Sequence, residues 1–345
     1  METQTMSPPA PIATESRTLV PGPAAITAAV IALAAWYLYA AIGWRQAALF
    51  LVGAGAGVVL YHAAFGFTSS WRVFISDRRG AGLRAQMLML AVTCALFFPV
   101  LAAGSIWGQP VRGSVSPISV GVVAGAFIFG LGMQLGGGCA SGTLFSVGGG
   151  STRMLVTLFF FVIGSVIGTA HTPWWNAQPA FAPTSLVTTL GPWMGLAVCF
   201  ALFGGIAWFT SVAEKRRHGR LLDESRPANG SRWLNGPWPL LAGAIGLAVV
   251  NIATLTIGGR PWGVTSAFAL WGAKLYDALG IDVASWAYWT TPAQAAALRA
   301  SVLMDVTSVM DIGIMLGALM AAILAGKFAP VWKVSNKSLA AAVVG

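Results

Sequence analysis

Charge is what this chain has least of. Only 9% of its 345 residues are charged, against roughly a quarter in soluble domains, and 57% are hydrophobic, which excludes a water-soluble globule. Acidic residues are scarcest: 10 Asp and Glu stand against 20 Lys and Arg, a formal net charge of +10. The basic residues are spread over short loops without an aromatic-interleaved patch, so nucleic acid is excluded as a partner. Cysteine is nearly missing. Cys94, Cys139 and Cys199 each fall in an apolar stretch, which argues against a disulfide framework and against a spaced metal site. With no CxxC, no HExxH and no paired Cys/His spacing, no metal or other cofactor is expected. A GxxxxGK[ST] loop is also lacking, so the chain itself has no P-loop for ATP, and nothing here points to an enzyme. Residues 1–23 are polar and proline-rich, with no basic residue before Arg17. They lack the n-region of a cleaved signal peptide and read as a disordered tail.

What the chain does have is long apolar runs. A spanning helix needs about 20 such residues, and eight candidates lie at roughly Ala24–Trp44, Ala47–Phe65, Ala85–Ala103, Ile118–Leu135, Met154–Ala170, Trp193–Ala213, Leu240–Ile257 and Val302–Gly326. The expected fold class is therefore an all-α polytopic membrane protein, with the lipid bilayer as its surroundings. The loop from Glu214 to Trp233 carries Lys215, Arg216, Arg217, Arg220, Arg226 and Arg232, whereas the one from His171 to Gly191 has no Lys or Arg but holds Trp174 and Trp175. Basic loops stay in the cytoplasm and tryptophans collect at the interface. That logic puts the first loop inside and the second outside. It also puts Arg72, Arg78, Arg79, Arg84 and the N-terminus inside.

Two segments repeat. Phe65 to Trp71 reads FGFTSSW and Trp262 to Phe268 reads WGVTSAF: aromatic, Gly, apolar, Thr, Ser, small, aromatic. Short patterns recur by chance in membrane sequences of low diversity, but two further correspondences accompany this one. The first copy leads to LAAG at Leu101 to Gly104 and then SVGVVAG; the second leads to ILAG at Ile323 to Gly326 and then AAAVVG. Five spans separate the starts of the two units, so they face opposite ways, the arrangement that builds transport sites near the bilayer midplane from interrupted helices. The expected organisation is a tail at 1–23, a first membrane half at 24–213 (an extra helix, repeat 1 and a connecting helix), a basic cytoplasmic loop at 214–236, and a second inverted repeat at 237–345. The counterpart of the stretch that follows SVGVVAG would begin where AAAVVG ends, so the second repeat is expected to be incomplete.

That following stretch, GLGMQLGGGCASGTLFSVGGGSTR at residues 130–153, is the least helical part of the apolar sequence. Glycines spaced three or four apart serve close helix packing, but Gly136, Gly137 and Gly138 in a row before Cys139 would break any packing helix. Non-helical backbone survives at membrane depth only against protein or a water-filled cavity. Ser141 or Thr143 is expected to cap a short half-helix running to Val147, with free amides converging near Cys139 as an anion site. Ser151 reads as the N-cap of the next span, and Arg153 supplies a cation. A thiolate would repel an anion, so the useful species is the neutral S–H, a weak donor on a soft sulfur. A sulfur-bearing anion would accept from the thiol at its sulfur and from amides at its oxygens.

The candidate substrate-binding residues are thus Cys139, Gly137, Gly138, Ser141, Gly142 and Thr143. The two Thr-Ser segments add Thr68, Ser69, Trp262, Gly263, Thr265 and Ser266. Arg153, His62 and Asp311 are candidates for a surrounding shell. His62 reads as an interhelical hydrogen-bonding group or a substrate contact. Asp311 is an intramembrane acid and a functional candidate by default, with Lys274 or Arg260 as possible structural partners. Cys94 and Cys199 read as small hydrophobes filling their spans.

Together with GGRPWGVTSAFALWGAK and DIGIMLGALMAAILAGKF, the cysteine stretch resembles the YeeE/YedE sulfur-transport family of bacterial inner-membrane proteins. The resemblance runs from about residue 46, and Cys139 matches its central cysteine; where many members carry another near the first Thr-Ser segment, this chain has Gly66 and Phe67. It implies an hourglass-shaped bundle of inverted halves with re-entrant helix-loop segments. The implied function is uptake of thiosulfate, or a related sulfur or selenium species, handed along thiols by transient S–H contacts. Two other readings stay open: a redox protein that takes a sulfane sulfur on Cys139, and a scaffold whose basic loop at Lys215 to Arg232 binds a cytoplasmic sulfur-carrier protein.

Overall fold

The computed structural model describes residues 21–222, 231–330 and 334–345. Most of the predicted tail and Arg226 of the basic loop therefore lie outside the described residues. The chain opens with α1 (Pro21–Ala41), α2 (Trp44–Ala63), the short α3 (Phe67–Asp77) and α4 (Ala81–Ala103). A two-stranded antiparallel hairpin, β1 (Ser105–Ile106) with β2 (Gln109–Pro110), turns at Trp107 and Gly108. Next come α5 (Val120–Gly136), α6 (Ala140–Gly148), α7 (Thr152–Ala170), α8 (Thr172–Asn176), α9 (Leu186–Thr189) and α10 (Gly191–His218). The second half holds α11 (Arg232–Asn235), α12 (Leu240–Gly258), α13 (Thr265–Ala278), α14 (Pro292–Arg299), α15 (Val306–Leu324) and α16 (Asn336–Val344). Eight stretches among the described residues are long and apolar enough to cross a membrane, and each overlaps one of the eight predicted spans. The chain is an all-α polytopic membrane protein.

Lipid offers no hydrophobic gain when two apolar helices meet, so close van der Waals packing has to hold them together. The tightest instance is α2 against α15. Gly53 and Gly57 on α2 and Gly313 and Gly317 on α15 each lie directly on the partner's backbone. A Cβ at Gly317 would collide with the Ala54 carbonyl oxygen and stand 2.6 Å from its carbon; one at Gly57 would stand 2.8 Å from the Ala318 amide nitrogen. Around this pair, α12 packs on α2 and α4, and α6 and α13 pack on α15. Helices α1, α5 and α10 turn large apolar side chains outward, among them Leu33, Trp36, Phe127, Ile128, Trp193 and Trp208, as lipid-facing helices do.

At one end of the bundle α4 is tied to α10 by Glu214, whose side chain is 0% exposed. Its Oε2 accepts from Arg84 at 2.7 Å and from the Gly80 amide at 3.0 Å, and its Oε1 accepts from the Leu222 amide at 3.0 Å. Helix α10 runs on to His218, so Lys215, Arg216 and Arg217 sit on its last turn rather than in a loop, where cations complement the negative end of the helix dipole. Next to them His218 Nε2 lies 2.7 Å from the Asp77 carbonyl oxygen.

The α2–α15 contact makes a direct prediction. Gly317→Ala should destabilise the folded protein by ~1–3 kcal/mol, because the added methyl has a backbone in its way. Gly55→Ala, on a face of α2 with nothing within 4 Å of a Cβ, should leave stability unchanged. Size-exclusion profiles after heating in detergent read both variants.

Candidate functional site

The apolar helix stops where the glycine run predicts. Helix α5 ends at Gly136, Gly137 turns into the left-handed region at φ 91°, and α6 begins at Ala140. Gly137 is the position where a side chain would be strained by backbone conformation, and a Cβ there would stand 3.1 Å from the Arg153 guanidinium. Gly138 is closed in by the Met154 side chain and by the first turn of α6. Cys139 itself is the N-cap of α6, in extended backbone conformation, and its carbonyl accepts from the Thr143 amide at 2.8 Å. This corrects the expected capping: Ser141 and Thr143 lie inside the half-helix, which runs to Gly148. The reason is in the hydrogen bonds. Thr143 Oγ1 donates back to the Cys139 carbonyl at 3.0 Å, and Ser141 Oγ lies 3.5 Å from the Cys139 sulfur. Both hydroxyls thus organise the thiol and its carbonyl, leaving the amides of Ala140, Ser141 and Gly142 without a carbonyl four residues back inside the helix. Gly142 lies beside the thiol: a Cβ there would stand 3.5 Å from the sulfur, in ordinary contact.

The flanks are fixed by polar side chains. Ser151 caps α7 by accepting from the Met154 amide, as its sequence position predicts. Arg153 donates to the Leu135 carbonyl at 2.8 Å, and Thr157 Oγ1 lies 3.4 Å from the Gly136 carbonyl, so the free C-terminal carbonyls of α5 are met from α7. Gln134, which sequence reasoning passed over, joins this loop to the first Thr-Ser segment. Its Oε1 accepts from Arg72 Nε at 3.1 Å and its Nε2 lies 3.5 Å from the Thr68 carbonyl. A lone amide in an otherwise apolar span is the signal that marks it.

The two Thr-Ser segments adopt the same local form. Gly66 caps α3, and Ser69 Oγ donates to the Gly66 carbonyl at 3.1 Å; Ser266 Oγ donates to the Gly263 carbonyl at 2.8 Å in the first turn of α13. Ser266 also bonds Thr307 Oγ1 on α15 at 3.2 Å. Thr68 is 4% exposed and its hydroxyl has no partner among the described residues, whereas Thr265 is exposed. Residues beside each of the three segments, Phe65, Ala140, Ala267 and Phe268, are buried in one apolar cluster, and Trp262 packs against it. The structure thereby brings the starts of α3, α6 and α13 around a common core.

The surrounding candidates divide. His62, 3% exposed, stacks on the Trp238 ring with centroids 5.3 Å apart and meets Gly236. Asp311, 0% exposed, is paired neither with Lys274 nor with Arg260. Lys274 donates to the Leu298 and Ala300 carbonyls, and Arg260 lies 3.5 Å from Asp305. Cys94 on α4 and Cys199 on α10 face each other. Their facing was not legible in the sequence, since no periodicity relates two helices so far apart.

Comparison with known proteins gives a consistent picture. A family described as sulphur transport matches residues 62–345. A thiosulfate transporter, TsuA, from Spirochaeta thermophila is 27% identical over 235 residues, covering 62% of this chain and 64% of its own length. A probable transporter, YedE, from Salmonella typhimurium is 28% identical over 181 residues, which is 50% of this chain and 42% of its own. The TsuA of Escherichia coli is 28% identical over 117 residues, 34% of this chain and 32% of its own. In each case the match spans less than two thirds of the relative.

Thiol access checks the geometry. In single-cysteine variants, a small water-borne thiosulfonate reagent should modify Cys139 several times faster than Cys94 or Cys199, because reaction needs an accessible thiol in a polar setting. Equal rates would mean that Cys139 faces lipid.

Proposed function

The chain belongs to the sulphur-transport family, and from that premise we propose that it carries thiosulfate, or a related small sulfur-containing anion, across the bacterial inner membrane. The observation that carries this reading is the interruption between α5 and α6, where a thiol stands at the N-cap of a half-helix. Thiosulfate offers two kinds of acceptor. Its terminal sulfur is soft and suits the Cys139 S–H, a weak donor that binds briefly. Its oxygens are hard and suit the first-turn amides of Ala140, Ser141 and Gly142, where a helix N-terminus favours negative charge. Arg72 and Arg153 raise the local concentration of the anion without contacting it permanently, since each already has an oxygen partner. A fully charged binding site would hold a dianion too long; weak donors in series let it pass.

Gly137, Gly138, Gly142, Thr143 and Ser141 shape the thiol's surroundings in this reading. Thr68, Ser69, Trp262, Gly263, Thr265 and Ser266 line the approaches from the two sides. The matching Ser-to-Gly bonds at Gly66 and Gly263 support two units of inverted orientation, as does the packing of α2 on α15 and α12 on α4. The basic last turn of α10 and Arg78, Arg79 and Arg84 support a cytoplasmic setting for that end, with the N-terminus on the same side. That face would receive a sulfur-carrier protein on the inside.

Growth tests the reading. In a strain without other sulfate and thiosulfate importers, Cys139→Ala is expected to abolish growth on thiosulfate, and Cys139→Ser to retain part of it, because a hydroxyl is a harder donor. Undiminished growth of Cys139→Ala, with the protein present in the membrane, would overturn the thiol's role. A stable persulfide on purified Cys139, seen by mass spectrometry, would point to sulfur chemistry in place of passage.

A further inference from the structure

Asp311 lies in the second turn of α15 and is 0% exposed, with no geometrically complete hydrogen bond to either carboxyl oxygen among the described residues. The indole of Trp262 sits beside it, and its N–H is likewise buried without completing a hydrogen bond. Trp262 opens the second Thr-Ser segment, and four residues later in that segment Ser266 bonds Thr307, one turn before Asp311 on α15. Met315, one turn after Asp311, lies against Gly148 of the half-helix that Cys139 caps. The acid therefore stands on the helix that both the second Thr-Ser segment and the thiol half-helix pack upon.

The charged and titratable groups around it are otherwise engaged. Asp305 is the group whose field reaches Asp311, and it is held by Arg260 and by the Ser308 amide and hydroxyl. From α13, Lys274 is taken by the Leu298 and Ala300 carbonyls. From α2, Arg45 donates to the Ile257 carbonyl, and Tyr61 and His62 lie at the far end of the helix, with His62 against Trp238. From α11, Arg232 donates to the Pro237 carbonyl. From α1, Tyr37 and Tyr39 point outward, and from α6 the titratable group is Cys139. A carboxylate with no counter-ion, faced by a single indole N–H, is costly in such a place. A group in that position changes charge only when something beside it changes.

We infer that Asp311 is the proton site that couples substrate passage to the proton gradient, an inference that rests on the anion-transport reading above. The proton loaded on Asp311 from one side compensates the negative charge of an anion arriving beside Trp262. It leaves to the other side when the anion has gone, and Asp311 reloads from the first. One proton moves with each substrate by this site and no bond other than O–H is made or broken.

Purified full-length protein in liposomes, clamped at zero membrane potential, tests this with radiolabelled thiosulfate and an internal pH dye. A one-unit inward proton gradient should raise accumulation by the wild type roughly tenfold for one coupled proton, and protons should enter with the anion. Asp311→Asn should keep thiosulfate exchange between the two sides at equal pH while losing both the gradient effect and the proton entry. A merely structural role for the acid would reduce exchange and leave the pH response in what remains. Gradient-driven accumulation persisting in Asp311→Asn would overturn the inference. So would wild-type uptake that is indifferent to the gradient, a result that needs no variant to fold. No thiosulfate uptake by the wild type under any gradient would instead overturn the transport reading beneath it.

Discussion

Where α2 crosses α15, four glycines leave no side chain between two backbones, and the rest of the molecule is arranged around that crossing. Packing in a bilayer has no hydrophobic drive, so it depends on how many atoms come within van der Waals distance. Glycine pairs bring whole backbones into range. The price is conformational freedom in the unfolded chain, which a helix inserted in lipid has already lost. The rigid pair then serves as a wall, and α6, α12 and α13 are all set against it. Short half-helices could not hold their positions without such a wall, because nine residues of α6 have too few turns for stability of their own.

The second constraint is hydrogen bonding without water. Each backbone group at membrane depth must be met, and breaking a helix frees several at once. At the end of α5 the loose carbonyls are taken by Arg153 and Thr157. At the start of α6 the hydroxyl of Thr143 turns back to the capping carbonyl, while the first amides have no carbonyl four residues back within the helix. The asymmetry has chemical meaning. Carbonyls, which repel anions, are covered by side-chain donors, and amides, which attract them, are the groups that the helix start leaves without a helical partner. A cysteine in the capping position adds a donor without adding charge, where Ser, Asp or Asn would cap more strongly and bind the helix more than a solute.

Much of this was legible before any coordinates. Hydrophobic run length marked eight spans, and each overlaps a helix among the described residues that is long and apolar enough to cross a bilayer. The run Gly136 to Gly138 marked the break, and Ser151 marked the restart of helix at α7. The local capping was not legible, because a cysteine rarely caps and Ser141 and Thr143 are the stereotyped choices. The Thr143 amide and hydroxyl, both directed to the carbonyl four residues back, reveal that it lies inside the helix. Partner choice was equally hidden. Sequence offers Lys274 and Arg260 to Asp311, but Lys274 donates to the Leu298 and Ala300 carbonyls and Arg260 lies 3.5 Å from Asp305. Nor did composition mark Glu214 as anything beyond the first residue of a basic stretch.

Glu214 and Asp311 together show how the same burial yields different consequences. Both side chains are fully enclosed. Glu214 accepts two backbone amides and an arginine, a set that leaves little capacity for anything else and fixes α4 against α10. Asp311 is faced by the Trp262 indole but, among the described residues, accepts from no backbone amide or cation, although a serine, a threonine and two cations lie near it in the chain or the fold. Those groups are used up among themselves: Ser308 serves Asp305 and Trp271, Thr307 serves Ser266, and the cations serve carbonyls or Asp305. If stability alone had shaped α15, an alanine or leucine at 311 would pack at lower cost than an unaccompanied acid. On the proton-coupling proposal the Asp311 carboxyl would act with the solute and the proton, whereas Glu214 holds two helices together.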